Sequence, residues 1–201
     1  MPLKNKLGIK NSAELARAEE KLSKKKAAEL FESGYLDVLT VGTFKTLSEI
    51  HRVLFSEIYD FAGKLRTVNI AKGNFRFVPV MYLEAAVSSV ENMPHSTFDE
   101  IVEKYVEMNV AHPFREGNGR SMRIWLDLMF KQSLGLVVDW RLVDKDDYLL
   151  AMERSPIKDT EIKFVLKNAL TDKINDREIY IKGIDNSYYY EGYNTYETGS
   201  L

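Results

Sequence analysis

The sequence predicts one mainly α-helical domain that carries a single β-hairpin. Helix-capping patterns followed by apolar residues three or four apart recur along most of the chain. The period changes to two in one place only, between Val68 and Phe77. No internal repeat, low-complexity block or linker breaks the chain, and its 201 residues suit one domain with a core of its own.

Asn11 and Glu14 form a capping-box pattern, and the helix they open should run to Glu32 and stop at Gly34. Lys21, Lys24, Lys25 and Lys26 cluster on it and read as a solvated face. A second helix should follow Thr46, with Leu47, Ile50, Leu54, Ile58 and Phe61 on its buried side and His51 on its polar side. The hairpin comes next: Val68 and Ile70 alternate, Lys72-Gly73-Asn74 reads as a turn, Phe75 and Phe77 alternate again, and Pro79 ends the strand. Further helices are expected from Met81 to Glu91 and from the Thr97/Glu100 capping box to Ala111. Another should run from Gly119 to Gly135, with Ile124, Trp125 and Leu128 facing inward. Two shorter helices, Asp144 to Arg154 and Asp159 to Ala169, flank Pro156. A last short helix, capped by Asp185 or Asn186, should end near Gly192 and leave a polar, mobile tail from Asn194.

Composition excludes several classes. A net charge of −2 lacks the basic excess of a general nucleic-acid binder. The absence of cysteine removes disulfides and thiol catalysis. The lysine-rich start has no apolar stretch behind it, and no apolar run reaches the roughly 18 residues of a membrane span, so a cytoplasmic protein is expected. His51 and His95 have no third histidine or cysteine near them in sequence, so metal ligation there is not expected. Trp125 and Trp140 read as packing residues.

Chemistry is concentrated between His112 and Arg123. One helix ends before this stretch and another begins within it, so free backbone N–H groups at a helix N-terminus face an anion, helped by the helix dipole. Gly117 and Gly119 let the backbone approach phosphate oxygens closely. Arg120 and Arg123, three apart, share a face and can each fork onto phosphate, while the Asn118 amide can hold a phosphate oxygen. Glu116 is a hard oxygen ligand suited to one contact with Mg²⁺, and His112 is the one group here that takes a proton near neutral pH.

His112-Pro113-Phe114-Arg115-Glu116-Gly117-Asn118-Gly119-Arg120-Ser121-Met122-Arg123 resembles the Fic-domain signature HxFx(D/E)GNGRxxR at every specified position. The resemblance spans roughly Leu30 to Leu201, and the hairpin looks like the Fic flap. It implies a Fic fold and transfer of AMP from ATP to a Tyr, Ser or Thr hydroxyl of a target protein. By the same resemblance His112 is the base, and Glu116 binds Mg²⁺, with Mn²⁺ as the alternative ion. Gly117, Asn118 and Gly119 hold the α- and β-phosphates, Arg120 the β-phosphate and Arg123 the γ-phosphate. Lys72 and Gly73 lie near the nucleotide. Val68, Ile70, Phe75 and Phe77 form the flap on which an extended target segment pairs.

Ser187-Tyr188-Tyr189-Tyr190-Glu191-Gly192 resembles the inhibitory motif (S/T)xxxE(G/N), placed as in the single-domain Fic class with a C-terminal inhibitory helix. This divides the chain into a Fic domain over residues 1–180 and an inhibitory helix and tail over 181–201. Ser187 and Glu191 are four apart and share a helix face, so Glu191 can occupy the Arg123 guanidinium that the γ-phosphate needs. Tyr188, Tyr189 and Tyr190 beside it are candidates for self-modification. A lock helix in a small domain also suits stabilisation by a homo-oligomer. Two other readings compete: removal of AMP, alone or with its addition, using Glu191 on water, and a peptide-binding module without catalysis.

Overall fold

Among residues 2–201, which the computed structural model describes, seven α-helices surround a central eighth and two short strand pairs lie at the edge. Helix α1 (Ser12–Glu32) starts where the Asn11 side chain accepts the Glu14 N–H at 3.0 Å, and it ends at Gly34, whose φ of +71° is left-handed. Its lysine cluster is not a uniform solvated face. Lys24 is buried: its Nζ donates to Glu20 at 3.0 Å and to the Tyr196 carbonyl at 2.5 Å, and lies 3.4 Å from Asp185.

The cause is the C-terminal tail, which crosses α1 instead of hanging free. Thr195 and Tyr196 donate their N–H groups to Glu20, and Thr198 donates both N–H and hydroxyl to Asp185. The tail is therefore tied to α1 through the buried Glu20 and to the last helix through Asp185.

Helix α2 (Phe44–Phe55) begins earlier than its apolar spacing suggests, because Thr43 rather than Thr46 is the cap. Leu47, Ile50 and Leu54 are buried as expected, whereas Ile58 and Phe61 sit in the turns that follow the helix. His51 is wholly buried rather than on a polar side. Strands β1 (Ala71–Lys72) and β2 (Phe75–Arg76) pair antiparallel across Gly73-Asn74, with Lys72 opposite Phe75. The bond from Phe77 N–H to the Ile70 carbonyl extends the hairpin without lengthening the strands.

Helix α3 (Val80–Glu91) follows Pro79, and α4 (Phe98–Ala111) opens on a complete capping box between Thr97 and Glu100. Helix α5 (Asn118–Leu134) ends at Gly135, with φ of +63°. Its Trp125, Met129 and Phe130 form the centre of the core. Helices α2 and α4 pack on α5. Helices α6 (Lys145–Arg154) and α7 (Thr160–Lys167) flank Pro156. A second antiparallel pair, β3 (Val137–Val138) with β4 (Leu170–Thr171), adds to the single hairpin expected. Two-residue strands give no alternation to read.

Helix α8 (Arg177–Tyr190) also packs on α5, and α1 lies across α2 and α8. It is capped by Asp176, not by Asp185 or Asn186, which lie inside it. Ile181, Ile184 and Tyr188 repeat every three or four residues and bury its inner face. Residues 180 and 181 are both within this helix. No helix among the described residues is long and apolar enough to cross a membrane.

Candidate active site

The junction between α4 and α5 builds the site. His112 caps α4 with φ of +50°, the one non-glycine residue with positive φ among the described residues. That conformation turns the chain sharply and is uncommon for a residue with a side chain. The imidazole stacks on Phe77 of the hairpin with ring centres 3.7 Å apart. Its Nδ1 lies 3.3 Å from the Asn109 carbonyl, which can only accept, so Nδ1 carries the proton and Nε2 is left as an acceptor. Burial pulls its pKa down from 6.5 to about 4, outweighing the bond to Asn109.

Phe114 anchors the loop beneath, wholly buried and stacked 3.8 Å from His51. His51 in turn accepts the Gly63 N–H at Nδ1 and donates from Nε2 to the Glu116 carbonyl at 2.8 Å. Asn118 does not offer its amide to the cleft as expected. Its side chain accepts the Phe114 N–H at 2.8 Å and donates to the Phe114 carbonyl at 2.7 Å, bracing the loop. The loop's anion-facing donors are instead backbone groups. The first intrahelical bond of α5 is donated by Ser121 to Gly117, leaving the N–H groups of the first turn outside the helical ladder.

The two glycines meet different neighbours. Gly117 has φ of +77°, and a Cβ there would lie 2.5 Å from the Phe55 ring. At Gly119 a Cβ would lie 2.3 Å from Glu191 Oε1. The Glu191 carboxylate thus rests on the bare backbone of the loop.

Both arginines of the motif are buried and paired. Arg123 donates from Nε to the Ser187 hydroxyl at 2.6 Å, and from Nη2 to the Ser187 carbonyl and to Glu191 Oε1, each at 2.8 Å. Its Nη1 reaches the Tyr148 hydroxyl at 3.2 Å. Burial opposes ionisation of Glu191, but the charge of Arg123 prevails and holds the carboxyl below its ordinary range. Gly192, with φ of +90°, ends the helix immediately after it. Arg120 departs from the shared phosphate-facing fork expected of the pair. Its Nη1 donates to Glu19 of α1 at 2.6 Å and its Nη2 to Glu116 at 3.1 Å.

Glu116 keeps 44% of its side chain exposed, with Oε1 accepting from Arg120 and from the Gly117 N–H at 3.0 Å. No cluster of three His, Cys, Asp or Glu that could hold a metal ion exists among the described residues. A single cleft-facing carboxylate fits a Mg²⁺ whose other ligands are phosphates and water.

Above the loop, Ile70, Lys72, Gly73, Phe75 and Phe77 close a cleft of about 820 Å³ that also takes in His112, Glu116, Arg123 and Glu191. Val68 stands apart from its lining, on the exposed outer stretch before the hairpin. Of the three neighbouring tyrosines, Tyr188 and Tyr190 are buried, and the Tyr190 hydroxyl donates to the Trp140 and Val143 carbonyls. Of the three, only Tyr189 is exposed, at 45%.

Sequence reasoning missed Glu19, His51, Arg66 and Tyr148. Glu19 had a local signal: it falls on the stripe Leu15, Ser23, Ala27, Leu30 that packs inward, where an acid needs a partner. Arg66 had none. It is buried and donates to the carbonyls of Val68, Val78, Ala111 and His112, tying the base of the hairpin to the end of α4. Arg66→Ala leaves these acceptors unpaired, at a cost of about 3–5 kcal/mol. The expected fall in Tm is about 10 °C, read by thermal denaturation, and a shift under about 2 °C would show that the hairpin does not depend on it.

Residues 42–130 match the model of the Fic/DOC family. The chain is 27% identical over 194 residues to protein adenylyltransferase VbhT of Bartonella schoenbuchensis, covering 90% of this chain and 40% of that protein. It is 29% identical over 182 residues to the probable protein adenylyltransferase Fic of Salmonella typhimurium, covering 85% of this chain and 88% of that one. The crystal structure of BepC from Bartonella tribocorum with bound AMPPNP superposes with a TM-score of 0.72 at 19% identity, over 85% of this chain and 93% of that one. That likeness establishes the fold.

Proposed function

From the Fic/DOC domain that this chain carries at residues 42–130, we propose that it transfers AMP from ATP to a Tyr, Ser or Thr hydroxyl of a target protein. The observation that carries the reading is the placing of one unprotonated imidazole nitrogen, a row of helix N-terminal N–H groups and a cleft carboxylate around one cavity. The adenylyltransferase names of the relatives and the AMPPNP bound to BepC support it.

In this reading the target hydroxyl attacks the α-phosphorus in line, the bond to the β-phosphate oxygen breaks, and pyrophosphate leaves. His112 Nε2 takes the hydroxyl proton. The first-turn N–H groups of α5 hold the α- and β-phosphates and meet the charge that develops on them. Arg123 receives the γ-phosphate, and Arg120 swings Nη2 from Glu116 toward the β-phosphate. Glu116 would hold Mg²⁺, or Mn²⁺, which would neutralise phosphate charge. The hairpin edge pairs with an extended target segment, with Phe75 and Phe77 beneath it.

At rest the site is closed to that pose, because Glu191 occupies the Arg123 guanidinium. Glu191 also faces the cleft, which favours hydrolytic removal of AMP as the second reading. The test of the first is incubation of target-containing lysate and Glu191→Gly protein with ATP radiolabelled at either the α- or the γ-phosphate. Label from the α-position alone is expected on protein. Label from the γ-position that appears only when the protein is added would overturn AMP transfer in favour of phosphotransfer, and release of AMP from a pre-labelled target by wild type but not Glu191→Gly would favour removal.

A further inference from the structure

We propose that Glu19 of α1 is a positioning residue for the nucleotide site: it anchors Arg120 from behind, and Tyr193 of the C-terminal strap shares that anchor. The inference rests on the AMP-transfer reading for its kinetic consequences, though not for its effect on nucleotide binding.

Arg120 is held at two points. Nη1 meets Glu19 Oε1 at 2.6 Å on the side away from the cleft, and Nη2 meets Glu116 Oε1 at 3.1 Å on the cleft side. Its Nε has no partner, so those two carboxylates fix the plane of the guanidinium. The rings of Phe55, Tyr188 and Tyr193 lie 4.9, 5.3 and 4.6 Å from its central carbon. They confine the group without directing its donors.

Glu19 is itself placed by donors from two distant segments. The Tyr193 hydroxyl donates to the same Oε1 at 2.9 Å, and the Tyr59 hydroxyl donates to Oε2. Although burial works against its charge, Arg120 and the two hydroxyls keep the carboxyl ionised. A buried ion pair is poor at stabilising a fold by itself, since apolar residues of the same volume do as well. This one ends on the carboxylate at the cleft floor, and that link is what a packing role leaves unexplained. When Nη2 leaves Glu116 for phosphate, Nη1 on Glu19 is the fixed end of the pivot. Tyr193 follows Glu191 by two residues, so the lock and the pivot share one strap.

The test compares Glu191→Gly with the same protein carrying Glu19→Gln, Glu19→Asp or Tyr193→Phe. Calorimetric binding of ATP, with and without Mg²⁺, is measured beside kcat/KM for labelling. Glu19→Gln keeps the shape and loses the charge, and is expected to weaken ATP binding and lower kcat/KM by about tenfold. Glu19→Asp restores the charge and should recover part of both losses. Tyr193→Phe removes one hydroxyl and should weaken ATP binding about threefold, with circular dichroism unchanged. ATP affinity and kcat/KM within about twofold of the parent for Glu19→Gln would overturn the proposal. If Glu19→Gln does not fold, unchanged ATP affinity in Tyr193→Phe overturns it instead. A parent that binds ATP but labels nothing defeats the AMP-transfer reading alone, and the binding comparison still decides Glu19.

Discussion

Glu191→Gly is expected to raise the initial rate of AMP labelling by about 10²-fold. Arg123 is buried with its donors spent on Ser187, Glu191 and Tyr148, and Nη2 is divided between the Ser187 carbonyl and Glu191. Removing the carboxylate frees the direction in which that nitrogen meets the cleft, while Ser187 and Tyr148 keep the guanidinium in place. It also clears the space over Gly119, whose backbone Glu191 Oε1 now covers. On the AMP-transfer reading a γ-phosphate then takes the vacated position, which draws the α-phosphate into line with an incoming hydroxyl. A displacement of about 1 Å from that line is enough to suppress the rate by about two orders of magnitude. Initial rates with α-labelled ATP measure the gain, and equal rates for wild type and Glu191→Gly would remove Glu191 from control of the site. Arg123→Ala added to Glu191→Gly is expected to cancel the gain, because the freed guanidinium is its source.

The parts of this site that were legible in sequence are those whose partners are local. The Thr97 capping box, the left-handed Gly34 and Gly135, and the motif from His112 to Arg123 each act within a few residues, so spacing reports them. The pairing of Arg123 with Glu191 joins positions 68 apart, and it was legible only because both ends carry a recognisable motif. Glu19 and Arg120 stand 101 apart, and His51 and Glu116 stand 65 apart. The inward stripe of α1 marks Glu19 as an acid that needs a partner but does not say which, and no local pattern marks the histidine. Lys24 shows the same limit from the other side: four lysines in a run of six resemble a solvated face until a tail from the far end of the chain covers one of them. Asn118 was misread for a different reason. Its amide could serve phosphate or the loop, and the buried Phe114 backbone, which has no water to bond, takes it.

His112→Ala in the Glu191→Gly protein is expected to lower kcat/KM for labelling by about 10²–10⁴-fold, the range that loss of a general base gives. The geometry leaves no substitute. Asn109 fixes the proton on Nδ1, the Phe77 stack fixes the ring plane, and Nε2 is the acceptor left for a hydroxyl proton. On the AMP-transfer reading the same residue sets the acid limb of the pH profile. A free imidazole would lose its basic form below pH 6.5, but burial lowers this one to about 4, so the neutral base persists through mildly acid solution. The kcat/KM profile should therefore stay level through pH 6.5 and fall toward about pH 4, and an inflection at 6.5 would show that another histidine, or a His112 opened to water, supplies the base. Stability shares the sign. The unfolded imidazole binds its proton at higher pH than the folded one, so the His112 contribution is full above 6.5 and is lost as pH falls through about 4. Glu191 raises the His112 pKa by its charge, so in the Glu191→Gly protein the acid inflection should lie lower still. Rate and pH profile thus test a single claim from two sides: the left-handed turn at His112 presents an unprotonated nitrogen where the target hydroxyl must give up its proton.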